Sequence, residues 1–129
     1  MPRKLGSASA DLLAPLTTQR LHPELRVWLV FGDTVKLGAR QAELLEAIEQ
    51  LGSLKAATEQ LGMSYRYAWG YLRELEATAG FRFIGRHRGG GHTARAHLTP
   101  QGKQLLAHYW KFNRRLDAAV AQEFAAAFP

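Results

Sequence analysis

The residues in this chain that could do chemistry are mostly basic. Between Phe81 and Leu116 stand eight lysines and arginines (Arg82, Arg86, Arg88, Arg95, Lys103, Lys111, Arg114 and Arg115) and no acid. Four of the five histidines share this stretch. By contrast, Ala39 to Leu61 holds two basic and four acidic residues. The whole chain carries +6 with a pI near 10.1. Positive charge concentrated in one half points to an acidic partner, most simply nucleic acid, rather than to a uniform solvated coat.

Other chemistries find little support. With no cysteine, disulfides, zinc-thiolate sites and cysteine nucleophiles are excluded. Asp11, Glu24 and Asp33 fall in an arm or a hairpin and form no acid/base pair across a cleft. A metal site drawn from His87, His92, His97 and His108 is one reading. The other is that these histidines gain charge at low pH and reinforce phosphate contact. No carboxylate or thiolate joins them, which favours the second. Gly89-Gly90-Gly91 does not follow the strand-glycine-helix pattern of a nucleotide loop. No catalytic residue, metal or cofactor is expected.

The elements that must position these side chains follow from periodicity. Met1 to Pro23 lacks sustained periodicity and reads as a mobile arm, with one weak turn around Asp11 to Ala14. Residues 24–129 are expected to form one domain, within the range that buries a real core. Leu25, Val27, Leu29 and Phe31 alternate with Arg26, Trp28 and Val30, which is strand periodicity. Gly32-Asp33-Thr34 turns the chain, and Val35 to Leu37 returns as a hairpin. Ala39 to Leu51 is helical, with Leu44, Leu45, Ile48 and Leu51 as its apolar stripe. Gly52 ends this helix and Ser53 caps a short second one, buried through Leu54, Ala57 and Leu61. Gly62 breaks it, and Ser64 caps a third helix that runs to about Ala79.

Advancing about 100° per residue sorts the third helix into two faces. Tyr65, Ala68, Trp69, Leu72, Leu75 and Ala79 form the expected core side. Arg66, Tyr67, Gly70, Arg73 and Glu74 form the polar side. Two helices joined by a tight turn, with a small alanine in the first, read as a helix-turn-helix. The second of the pair would lie in the major groove, where Arg66 and Arg73 can pair with guanine edges or phosphates. Arg82–Arg86 and Arg95–Leu98 are expected strands, and the Gly-rich segment between them reads as the tip of a wing. An arginine at such a tip can enter a narrow minor groove. The candidate DNA-binding set is therefore Ser53, Ser64, Tyr65, Arg66, Tyr67, Gly70 and Arg73 from the helices, with Arg86, Arg88, Gly89, Gly90, Gly91, His92 and Arg95 from the wing.

Thr99 caps a last helix that has Pro100 at its first position. Leu105, Tyr109, Phe112, Leu116, Val120 and Phe124 recur along it at steps of three or four. This stripe is longer than so small a domain can cover, so these six residues are the expected interface between two copies. Packing within one chain is the alternative. Trp28, Trp69 and Trp110 are expected in the core or the interface rather than as stacking platforms.

The segments Gly52-Ser53-Leu54-Lys55-Ala56-Ala57, Leu61-Gly62-Met63-Ser64 and Leu72-Arg73-Glu74-Leu75-Glu76 resemble the winged helix-turn-helix of LysR-type regulators. So does Leu98-Thr99-Pro100-Gln101-Gly102 with Leu105-Leu106. Ser64-Tyr65-Arg66, Ala68-Trp69 and the Gly89–Gly91 run are similar to the N-terminal DNA-binding domain of the molybdate-responsive ModE repressors. The resemblance spans about Leu25 to Tyr109. It implies a mainly α fold with small β: a winged helix-turn-helix with an N-terminal β-hairpin and a long C-terminal helix. It also implies a homodimer on a pseudo-palindromic operator in double-stranded DNA.

ModE repressors add oxyanion-binding domains, and LysR regulators add a large effector domain. The 129 residues here leave room for neither. The expectation is a stand-alone DNA-binding protein, or one whose signal arrives through a separate effector-sensing protein, with molybdate sensing not carried over. No apolar run approaches a membrane span, and Met1 to Ala10 has no apolar signal core, so a cytoplasmic, nucleoid-associated protein is expected. The rival readings are a protein-docking winged helix, a non-specific architectural DNA binder and, more remotely, an RNA binder.

Overall fold

The computed structural model describes residues 11–16, 20–88 and 94–129. A turn lies where the arm was expected to have one. Asp11 Oδ1 accepts from the Leu13 N–H, and the Asp11 carbonyl accepts from the Ala14 N–H, both at 3.1 Å. Residues 1–10 and 17–19 of the expected arm lie outside the described residues.

The hairpin is shorter than the alternation suggests. Strand β1 covers Leu29–Phe31 and pairs antiparallel with β2, Val35–Leu37, in the register Leu29↔Leu37, Val30↔Lys36 and Phe31↔Val35. Leu25 to Trp28 is not strand, because the returning chain has no residues left to pair with it. Gly38, next after Leu37, already caps helix α1, Ala39–Leu51. The inward and outward faces still alternate over five residues: Val27, Leu29 and Phe31 pack on the core, while Trp28 and Val30 are exposed. Leu25 is exposed too.

The helical core follows from the apolar stripes. Helix α1 buries Ala42, Leu44, Leu45, Ala47 and Ile48. Leu51, expected in that stripe, is exposed where the chain turns off α1. Gly52 makes this turn at φ 73°, a left-handed value that costs glycine little. Helix α2, Leu54–Leu61, packs between α1 and α3, Tyr65–Ala79. Ala57 is fully buried at this crossing, and Gly62 turns the chain at φ 64°. Strands β3, Ile84–Arg88, and β4, Ala94–Leu98, form an antiparallel ribbon with Ile84 opposite Leu98 and Arg88 opposite Ala94. The ribbon begins two residues later than expected, because the Phe83 N–H and carbonyl are bound to Glu76 and Thr99 instead of a strand.

Helix α4, Pro100–Ala127, is about 42 Å long at 1.5 Å per residue. Thr99 caps it by accepting from the Gly102 N–H at 3.0 Å. Its first part is seated on the core through Gly102, Leu106 and Tyr109. Tyr109 corrects the expected interface list. It is 1% exposed in its own chain, and its hydroxyl donates to the Val27 carbonyl at 3.3 Å. The physical reason is that α4 crosses α1 and β4 in its first three turns, and Tyr109 fills that crossing. Leu105 likewise packs against the core. Phe112 is exposed, and Leu116, Val120 and Phe124 are half-buried, bordering shallow grooves beside Pro23. No helix among the described residues is long and apolar enough to cross a membrane.

Candidate nucleic-acid interface

The surface expected to meet DNA is built outward from α3. Ala68, Leu72 and Leu75 are buried and hold this helix on the domain. Arg66, Tyr67, Gly70 and Arg73 lie away from that stripe. Arg66 is exposed and has no ion pair or hydrogen bond among the described residues. Gly70 is open above its backbone, with no atom within 4 Å of where a Cβ would stand.

Two residues placed in the core by their spacing are on this surface instead. Tyr65 is 50% exposed and Trp69 is 47% exposed. The reason is the width of the contact: α2 and the hairpin cover only the Ala68–Leu72–Leu75 stripe, and Trp69 stands one step to its side. Its indole has a partner of its own, with the Arg73 guanidinium over the ring at 4.7 Å from the centroid. Such a contact restrains the arginine on the face expected to meet DNA. Trp28 is likewise exposed rather than core, with the Lys36 ammonium 5.6 Å from its ring centroid. Trp110 packs against the core as expected.

A second flank of α3 is fixed to the hairpin. Tyr67 and Tyr71 stack at 6.0 Å with an interplanar angle of 20°. The Tyr71 hydroxyl donates to the Lys36 carbonyl at 2.8 Å. Burial, with Tyr67 beside it, pushes the Tyr71 phenol above its ordinary range, so it stays a donor. Gln41 donates its amide N–H to the Tyr67 hydroxyl at 3.1 Å and accepts from the Gly38 N–H at 2.8 Å. Gln41 was not singled out from the sequence. Its signal there is faint: an N3 glutamine behind a helix start, which is half of a capping box.

The two serines act first as caps. Ser53 Oγ accepts from the Ala56 N–H at 3.0 Å and Ser64 Oγ from the Tyr67 N–H at 3.1 Å. Each hydroxyl keeps its own proton to donate. Arg95 lies in β4 opposite His87, one rung in from the Arg88–Ala94 end of the ribbon. Its side chain covers Gly52, where a Cβ would come within 2.6 Å of the guanidinium carbon. The fold thus brings Arg95 beside the start of α2 and Ser53. The backbones of Arg86 and Arg88 lie in β3. Gly89, Gly90, Gly91 and His92 lie outside the described residues. Among the described residues, no group of three histidines, aspartates or glutamates is placed to hold a metal ion.

Comparison with known proteins agrees with this geometry. Residues 39–103 match the family of bacterial regulatory helix-turn-helix proteins of the lysR type. That span runs from the first residue of α1 to the first turn of α4. The chain is also similar to the molybdenum-pterin-binding protein MopB of Rhodobacter capsulatus, with 34% identity over 87 residues. The aligned part is 67% of this chain and 31% of that relative, so the chain spans less than a third of its length. On the matched helices and the ribbon that follows them, the chain belongs to the bacterial regulatory helix-turn-helix family of the lysR type, with a ModE-like winged helix-turn-helix.

Proposed function

We propose that this protein binds a two-fold symmetric operator in double-stranded DNA as a homodimer. Arg66, Tyr67 and Arg73 read the major groove, and the free N–H groups at the start of α3 meet a phosphate beside Ser64. The ribbon carries Arg86, Arg88 and Arg95 to the flanking backbone or minor groove. The observation that carries this reading is the face of α3 opposite its buried stripe. It presents an arginine without a partner among the described residues, an arginine stacked on tryptophan, and an open glycine between them. The dimer reading rests on the second half of α4, where Phe112, Leu116, Val120 and Phe124 stay wholly or partly uncovered by their own chain.

Fluorescence anisotropy with a selected duplex and a scrambled one, titrated across salt, tests this reading. A steep salt slope with preference for a symmetric site is the expected result. Arg66→Ala should erase the preference. Arg88→Ala should weaken binding to both duplexes alike and flatten the slope by about one unit. A steep slope with no preference would leave an architectural DNA binder. No binding at low salt would favour a protein-docking module.

A further inference from the structure

A two-stranded ribbon has two open edges, and their N–H groups need partners wherever the ribbon meets the domain. On the β3 edge, the Phe83 and Ile84 N–H groups both donate to Glu76 Oε2, at 2.8 and 3.0 Å. On the β4 edge, the Leu98 N–H donates to Glu49 Oε1 at 2.8 Å. Ile84 and Leu98 are register partners. Two carboxylates, one from α1 and one from α3, therefore grip the same rung of the ribbon from opposite sides. A third contact, from the Ala96 N–H to the Gly52 carbonyl at 2.9 Å, holds the β4 edge one step further out.

We propose that Glu49 and Glu76 are positioning residues that set the angle between the recognition helix and the wing, and so decide whether the wing's arginines reach DNA. This rests on the reading that the wing contacts DNA. Glu76 belongs to α3 itself, so the helix that enters the groove also holds the wing. Glu49 has a second tie, because its other oxygen faces the Lys103 ammonium of α4 at 3.5 Å. The gripped rung is the one nearest the domain. The Ala96–Gly52 bond still holds the ribbon opposite Arg86, and from there to Arg88 the strand extends roughly 7 Å at 3.3 Å per residue. A swing of about 20° about that bond, once the rung is released, moves the Arg88 end by roughly 2 Å, enough to break a phosphate hydrogen bond. Charge matters as well as shape, because hydrogen bonds to an ionised acceptor are the stronger ones.

The test is a double-mutant cycle on the intact protein. Glu49→Gln and Glu76→Gln, singly and together, are each combined with Arg88→Ala. Binding to the selected duplex is followed across salt, well below the melting temperature of each variant. The glutamines keep one acceptor oxygen and remove the charge. The expected result is an affinity loss of about tenfold and a salt slope shallower by about one unit. Preference between operator and scrambled duplex, which belongs to α3, should be retained. In the clamp variants Arg88→Ala should cost little more, because the wing has already lost its aim. If the glutamines lower only the melting temperature, and Arg88→Ala keeps its full effect, the carboxylates merely stabilise the fold and the proposal is overturned. If Arg88→Ala changes nothing in the unaltered protein, the wing reading fails first. Should the doubly substituted chain not fold, the two single cycles decide.

Discussion

Gly70→Ala separates stability from binding in one substitution. Gly70 is the sixth of the 15 residues of α3. A glycine inside a helix costs about 1 kcal/mol relative to alanine, through the backbone freedom it loses on folding. Nothing stands within 4 Å of the position a Cβ would take, so no clash offsets the gain. The alanine variant should therefore be more stable by about 1 kcal/mol. For a chain of this length that is a rise in melting temperature of about 3–5 °C. On DNA the sign reverses. If α3 presses this face into the groove, the added methyl occupies space the groove wall needs, and affinity should fall about tenfold, or 1.4 kcal/mol. Thermal unfolding followed by circular dichroism, together with anisotropy on the same preparation, reads both numbers. A stabilised variant with unchanged affinity would refute the placement of this face against DNA. A destabilised variant would show that the face is packed against protein, and the open space above Gly70 would need another explanation.

The same substitution at Gly102 should go the other way. A Cβ there would stand 2.7 Å from the Phe83 carbonyl oxygen, which is backbone and cannot step aside. The clash should outweigh the helical gain and cost about 1–3 kcal/mol, read as a lower denaturant midpoint. Tyr109→Ala should cost about 3–5 kcal/mol whatever the protein concentration, because the side chain fills its own chain's core. An effect seen only as a concentration-dependent melting temperature would return Tyr109 to the interface between copies. Glu49 predicts an acid limb. The Leu98 N–H, then the Lys103 and His97 charges, hold its carboxyl below the ordinary value of 4.5. A depressed folded-state value gives stability that is present above 4.5 and lost as pH falls through the lower one. Melting temperature against pH should drop there, and Glu49→Gln should flatten the drop.

What the chain reveals without its fold is whatever depends on neighbours in sequence. Ser53, Ser64 and Thr99 were legible as caps because a cap bonds a backbone N–H only three residues on. Gly52 and Gly62 were legible as stops because a left-handed residue is a local backbone matter. The small Ala57 followed from the tight crossing that the Gly62 turn imposes. With the helix stripes, these local rules suffice for the helix-turn-helix, the ribbon and the long last helix, and the run of basic residues points to the nucleic-acid partner proposed above.

Tertiary structure decided which side of each boundary a residue falls on. Periodicity assigns Tyr65 and Trp69 to the buried side of α3, but how wide that side is depends on how much of it α2 and the hairpin cover. Tyr109 and Phe112 lie in one stripe of α4. Only the crossing with α1 and β4 makes the first core and leaves the second bare. Leu25 to Trp28 alternates like a strand, yet a strand exists only where a partner pairs with it, and the partner ends at Leu37. Arg95 was read as a wing arginine that supplies charge to DNA, and its side chain covers Gly52 across the domain. Glu49 and Glu76 carried no signal at all. A carboxylate on a helix looks solvated in sequence, and only the fold brings it within 3 Å of N–H groups eight and 49 residues further along the chain. Short-range hydrogen bonds are written in adjacent residues, whereas burial and long-range pairing depend on where other segments come to lie.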